Sequence, residues 1–164
     1  MKIIKIIFLF FITPAMVLGA IAYPASQLSA APQATLQVIP PETFLSPALI
    51  KKPVTFQGSG FAPKEMITVE MVLPAGLKMK GVKEGDDVGI AVGTSDENGN
   101  FSAAMEPTAT LNWFFQVGWT PVVTPNFKEA KPIPPGVYTI NATGLDSNTI
   151  ATSTLKIVPP PEKK

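Results

Sequence analysis

Cysteine, histidine and arginine are all absent from the 164 residues, so every one of the 13 basic side chains is a lysine, set against 12 acids. Each absence removes a chemistry. Without cysteine there is no thiol nucleophile, disulfide, thiolate zinc site or iron–sulfur cluster. Without histidine there is no imidazole base and no imidazole metal ligand. Without arginine there is no planar guanidinium to clamp phosphate or carboxylate. Most hydrolase, phosphotransfer and redox-metal mechanisms lose their usual parts, so the chain is expected not to be an enzyme and to need no cofactor. A formal net charge of +1 gives no electrostatic case for nucleic acid.

What is present begins with an export signal. Lys2 and Lys5 precede an apolar run, Ile6 to Ala22, interrupted at Thr13 and Pro14 and closing on Ala20-Ile21-Ala22. That is the three-part plan of a secretory signal peptide over residues 1–22. An uncleaved anchor is the alternative, but the run is at the lower limit for a bilayer, and Pro14 and the small residues at the cleavage site favour removal. No cysteine follows the run to carry a lipid, and the Pro-rich polar tail, residues 159–164, has no apolar segment. The mature chain is expected to be secreted, periplasmic or at the cell surface, with no membrane span after cleavage. Having no disulfide, it fits bacterial export better than a small eukaryotic secreted domain.

Residues 23–34, rich in Ala, Ser, Gln and Pro, read as a flexible leader. From Thr35 the pattern changes to short segments punctuated by Pro, Gly, Asn and Asp. Apolar side chains alternate at Leu36 and Val38, at Val54 and Phe56, at Ile67, Val69, Met71 and Leu73, and at Val88, Ile90 and Val92. They alternate again at Phe101, Ala103 and Met105, at Tyr138, Ile140 and Ala142, and at Ala151, Leu155 and Ile157. A period of two with one apolar face describes half-buried strands of antiparallel sheets. Two such sheets facing each other bury both apolar faces. Asn98-Gly99 predicts a hairpin between the fourth and fifth segments, and the stretch Gly144 to Asn148 one between the last two.

Three motifs stand in order. Gly58-Ser59-Gly60-Phe61-Ala62-Pro63-Lys64-Glu65 leads into a strand, Asp96-Glu97-Asn98-Gly99-Asn100-Phe101 follows one, and Pro135-Gly136-Val137-Tyr138-Thr139-Ile140-Asn141-Ala142 comes later. Together they resemble the bacterial immunoglobulin-like domains of secreted and cell-surface proteins, over residues 36–158. The resemblance implies an all-β, immunoglobulin-like antiparallel sandwich of about seven strands spanning residues 35–158, used for adhesion, spacing or binding. It also implies that Tyr138 is a corner tyrosine whose hydroxyl bonds back to nearby backbone, and that Ile140 stands where disulfide-bearing relatives carry cysteine. The departure from the pattern is the long connection 107–136.

That connection holds the candidate binding residues. Trp113, Phe114, Phe115 and Trp119 include both tryptophans of the protein. Long ordered loops are often functional, and exposed aromatic rings stack on sugars or anchor protein contacts. The competing reading is that the stretch folds over an open end of the sandwich and fills its core. A second set, Glu84, Asp86, Asp87, Asp96 and Glu97 with Asn98 and Asn100, offers oxygen ligands for calcium but lacks the following glycine and distant glutamate of a helix-loop-helix site. Solvated turns explain it better. Met66, Met71, Met79 and Met105 read as core filler in preference to a copper(I) site. Lys78, Lys80 and Lys83 belong to a solvated loop. No metal site is expected. The expected role is that of a non-catalytic module touching an envelope or extracellular protein, another copy of itself included. The alternative is a carbohydrate-binding module whose glycan stacks on the exposed rings of segment 108–124.

Overall fold

The computed structural model describes residues 33–83 and 85–162. The expected signal peptide, Glu84 and all but the end of the leader lie outside the described residues. All seven alternating segments are strands, because each can turn its apolar set to one side. They are β1 (Thr35–Ile39), β3 (Thr55–Ser59), β4 (Met66–Met71), β5 (Val88–Thr94), β6 (Phe101–Ala104), β9 (Gly136–Gly144) and β10 (Ile150–Val158). Three short strands join them: β2 (Glu42–Phe44), β7 (Gly118–Trp119) and β8 (Pro125–Asn126).

The strands form a three-stranded sheet, β1-β3-β6, a five-stranded sheet, β2-β10-β9-β4-β5, and the small ribbon β7-β8. The fold is therefore predominantly β. Pairing is antiparallel except where β2 runs parallel to β10, with Lys156 opposite Glu42 and Val158 opposite Phe44. The chain changes sheets at Pro40-Pro41, so consecutive strands β1 and β2 belong to different layers. The layers also meet on the opposite side, where the Glu106 amide at the end of β6 donates to the Ile90 carbonyl of β5 at 3.0 Å.

One apolar core lies between the layers. Phe56, Ile67, Val69, Met71, Ile90, Met105, Ile140 and Leu155 are fully buried, each on the face its alternation assigns. Burying a side chain of this size contributes about 1.5–3 kcal/mol, which is how an unbridged chain holds together. Phe61 and Phe101 meet edge to face, centroids 5.3 Å apart. Met71, Met79 and Met105 are in this core and Met66 points outward.

Two expectations need correction. Val92, placed on the core face by its alternation, is exposed. Opposite β4 the register passes from Val69↔Ala91 to Glu70↔Gly89, so Ile90 is an extra residue. This bulge shifts the phase of β5: Ile90 and Ala91 are both buried, and Val92 turns out. The turn at Asn98-Gly99 forms, with Gly99 at φ 75° and the Asp96 amide on the Asn100 carbonyl at 2.7 Å. It does not close a hairpin, however. It carries the chain from β5 in one sheet to β6 in the other. The second turn is a hairpin as expected, joining β9 and β10 through Gly144 and Thr149.

Candidate functional site

The connection between β6 and β9 starts at Pro107, which can open a helical turn because its missing N–H has no partner there anyway. The turn Pro107–Ala109 continues into a wider one, Thr110–Phe114, in which the Phe115 amide reaches the Thr110 carbonyl five residues back at 3.0 Å. Thr110, itself buried, bonds its hydroxyl to the Glu106 carbonyl at 3.1 Å. Gln116 then takes a left-handed conformation, φ 46°, and the chain turns outward into the β7–β8 ribbon. The return limb runs back beside the outgoing one: the Lys131 amide donates to the Phe115 carbonyl and the Ile133 amide to that of Phe114, both at 3.0 Å.

This path separates the four aromatic candidates. Phe114 enters the main core. Phe115 is buried in a small second cluster with Leu111 and Val117, edge-on to Phe127 with centroids 6.1 Å apart. Neither ring is available for stacking. Trp113 is half-buried against the main core, its indole N–H donating to the Gly89 carbonyl at 3.1 Å. Trp119 is 45 % exposed, its indole N–H held by the Asn112 side-chain oxygen at 2.9 Å. The two tryptophans line one open cleft of about 370 Å³, with Lys80, Gly81, Asn112, Gln116 and Val117 completing it. The segment thus does both things its composition suggested. It fills a core with its phenylalanines and presents its tryptophans at the surface. Gln116 spends its amide N–H on the Lys131 carbonyl at 2.9 Å, so the cleft offers flat apolar rings, one ammonium group and an amide.

Among the described residues the calcium-like set does not come together. Asp96 turns its carboxylate onto its own loop, accepting the amides of Asn98 at 2.8 Å and Asn100 at 2.9 Å, with the Asn100 side chain at 3.2 Å. The Asn100 backbone and side-chain hydrogen bonds hold its pKa below the usual aspartate value, against desolvation that works the other way, with the Asn98 amide adding to the lowering. The carboxylate shapes the crossing between sheets.

A carboxylate of another kind escaped sequence reasoning. Glu65 is 1 % exposed. Its two oxygens accept the Ala62 amide at 2.6 Å, the Ser147 hydroxyl at 2.9 Å, the Ser147 amide at 3.0 Å and the Asp146 amide at 3.2 Å. Its own amide rests on the Ser95 hydroxyl at 2.9 Å, and that hydroxyl lies 2.6 Å from the Ala62 carbonyl. Desolvation pushes its pKa up, but the four hydrogen bonds from Ser147, Ala62 and Asp146 outweigh it and hold the pKa below the ordinary glutamate value. Among the described residues no buried side-chain polar atom lacks a partner, so Glu65 serves the frame and is not a waiting acid.

Sequence reasoning also passed over Val122 and Val123 at the tip of the ribbon. They are 80 % and 77 % exposed. The signal was available: no residue from Val117 to Phe127 carries a charge.

Among the described residues no helix is long and apolar enough to cross a membrane. No protein-family description and no curated protein matches the chain. Among solved structures the chain aligns with BslA, described as a bacterial hydrophobin, at 12 % identity, over 79 % of this chain and 97 % of that one, with a TM-score of 0.35. A likeness that slight carries no argument about fold or function.

Proposed function

We propose that the protein is an exported, non-catalytic immunoglobulin-like β-sandwich acting as a structural or adhesive module at the bacterial envelope or exterior. Two features support the immunoglobulin-like reading. In the orders β1-β3-β6 and β2-β10-β9-β4-β5, strands β1, β3 and β6 correspond to the first, second and fifth strands of that fold and β4, β9 and β10 to its third, sixth and seventh, while β5 pairs with the third strand instead of joining the first sheet. The Tyr138 hydroxyl donates to the Pro134 carbonyl four residues upstream at 2.7 Å, as a corner tyrosine does.

The observation that carries the contact role is Trp119, a large aromatic ring left 45 % exposed beside the cleft it shares with Trp113. Such rings anchor protein contacts. The test is retention of the purified protein on bacterial envelope fractions. Wild type is expected to be held and Trp119→Ala released, at equal folding stability; equal retention defeats the reading. So does turnover of an ester, glycoside or peptide substrate that one acid-to-amide change abolishes.

The second reading, a carbohydrate-binding module, is favoured by the shared cleft of Trp113 and Trp119, since paired rings with an amide and an ammonium suit a sugar. A glycan array read with tryptophan quenching tests it. Identical behaviour of wild type and Trp119→Ala on every polysaccharide disposes of it.

A further inference from the structure

The tip of the β7–β8 ribbon combines four properties that packing does not require. First, Val122 and Val123 stand almost free of the protein, in a stretch from Val117 to Phe127 with no charged residue. Second, Val123 holds φ 58°. The left-handed region costs an L-residue about 1–2 kcal/mol, and a β-branched side chain there is an outlier; glycine or asparagine would relieve it. Strain kept at an exposed position that no contact demands points to a role for the side chain outside the molecule.

Third, the turn spends all but one of its own amide donors internally. The Thr120 amide donates to the Thr124 carbonyl at 3.0 Å, the Val123 amide to the Thr120 carbonyl at 2.9 Å, and the Thr124 amide to the Thr120 hydroxyl at 3.1 Å. Pro121 and Pro125 have no N–H, which leaves only the Val122 amide. Among the described residues the Val122 amide and the Pro121, Val122 and Val123 carbonyls have no partner, which suits a tip whose backbone stays at the hydrated interface while its side chains reach further, since backbone in the hydrocarbon itself must be satisfied internally. Fourth, Lys80 and Lys131 flank the base of the ribbon at Gly118, and Lys128 follows β8, against the single acid Glu129, which is bonded to Asn126 at 2.9 Å.

We propose that this tip inserts into the surface of a lipid bilayer, with Val122 and Val123 reaching the acyl region, Trp119 at the headgroup level and the lysines against anionic headgroups. Tryptophan favours that depth, and lysines near an anionic surface attract it. A second copy of the chain is the lesser occupant, because a stable dimer buries about 800 Å² per partner and a five-residue convex tip offers far less. The inference rests on the contact role only in that the folded chain meets a membrane from outside. The vesicle experiment needs no export, so either reading can fail without the other.

The test uses the full chain with Trp113→Phe, leaving Trp119 as the reporter, on phosphatidylglycerol–phosphatidylcholine vesicles with brominated acyl chains. Both the parent and V122D/V123D carry the same apolar N-terminal run, so quenching of Trp119 reads the tip and not attachment by residues 6–22. The parent is expected to be quenched and blue-shifted. V122D/V123D is expected to lose both effects while keeping its far-ultraviolet spectrum, since neither valine packs inside. Trp119→Phe with Trp113 retained is expected to show no quenching. An unquenched parent, or quenching that survives V122D/V123D, overturns the proposal. So does a concentration-dependent dimer that V122D/V123D dissociates.

Discussion

Ser147 donates twice to Glu65 across 82 positions of sequence, its hydroxyl at 2.9 Å and its amide at 3.0 Å. With the Ala62 and Asp146 amides, one buried carboxylate joins the turn before β4 to the β9–β10 hairpin, while Ser95 ties its own backbone to the end of β5. Gly144 lies against the carboxylate, and a Cβ there would collide with it. In a chain without disulfides, this cross-link holds one end of the five-stranded sheet. Glu65→Ala strands three backbone donors and is expected to cost about 2–3 kcal/mol. Urea unfolding measures it, and a midpoint equal to wild type would show that water replaces the carboxylate freely.

The same residue sets an acid limb. Because its folded pKa lies below the ordinary glutamate value of 4.5, the unfolded chain takes up the proton first as pH falls. The stabilisation is complete above about pH 4.5 and is lost progressively as pH drops toward the folded value. Asp96, also lowered, acts in the same direction. Glu65→Gln is expected to be less stable than wild type at pH 7 and to close part of that gap by pH 3. Denaturant midpoints from pH 7 to 3 check it; parallel curves for the two proteins would contradict the linkage.

Tyr138 is buried, and desolvation raises its pKa. Its hydroxyl has one partner, the Pro134 carbonyl at 2.7 Å. Tyr138→Phe keeps the ring in the core and removes only that bond, so the expected loss is about 1 kcal/mol with an unchanged denaturant slope. A changed slope would mean that the hydroxyl organises more than one turn.

Val123→Gly separates stability from function at the ribbon tip. Relief of the left-handed strain exceeds the extra chain entropy of glycine, so the variant is expected to gain about 0.5–1 kcal/mol. If the tip inserts into lipid, the more stable protein is the poorer binder, a familiar opposition at functional sites. Thermal unfolding and vesicle quenching on the same sample give both numbers.

The seven long strands were legible because a two-residue period over four or more positions admits no other economical burial. Strands β2, β7 and β8 were not, since two or three residues hold no period and their pairing depends on distant chain. Val92 misled because a bulge shifts phase without any local mark. Among the aromatics, the sequence placed four rings together but not their directions. The five-residue turn closing on Thr110 sends Phe114 and Phe115 into separate clusters. Glu65 was invisible for a plainer reason: after Ala62-Pro63-Lys64 it reads as a surface turn residue, and its Asp146 and Ser147 partners lie 81 and 82 positions away.

That division between Phe114 and Phe115 makes a final prediction. Phe114 is part of the core shared by both sheets, so Phe114→Ala is expected to lower global stability by about 3–5 kcal/mol. Phe115 belongs to the smaller cluster with Leu111 and Val117, edge-on to Phe127. Its loss is expected to loosen segment 107–136 without opening the main core, and local opening is a separate event from global unfolding. Hydrogen exchange distinguishes them, because the Lys131 and Ile133 amides bond to the carbonyls of Phe115 and Phe114. In Phe115→Ala both amides are expected to exchange faster while those of β9 and β10 keep their wild-type protection. If β9 and β10 lose protection in step with Lys131, the two clusters are one cooperative unit, and the aromatic segment cannot move independently of the sheets that carry it.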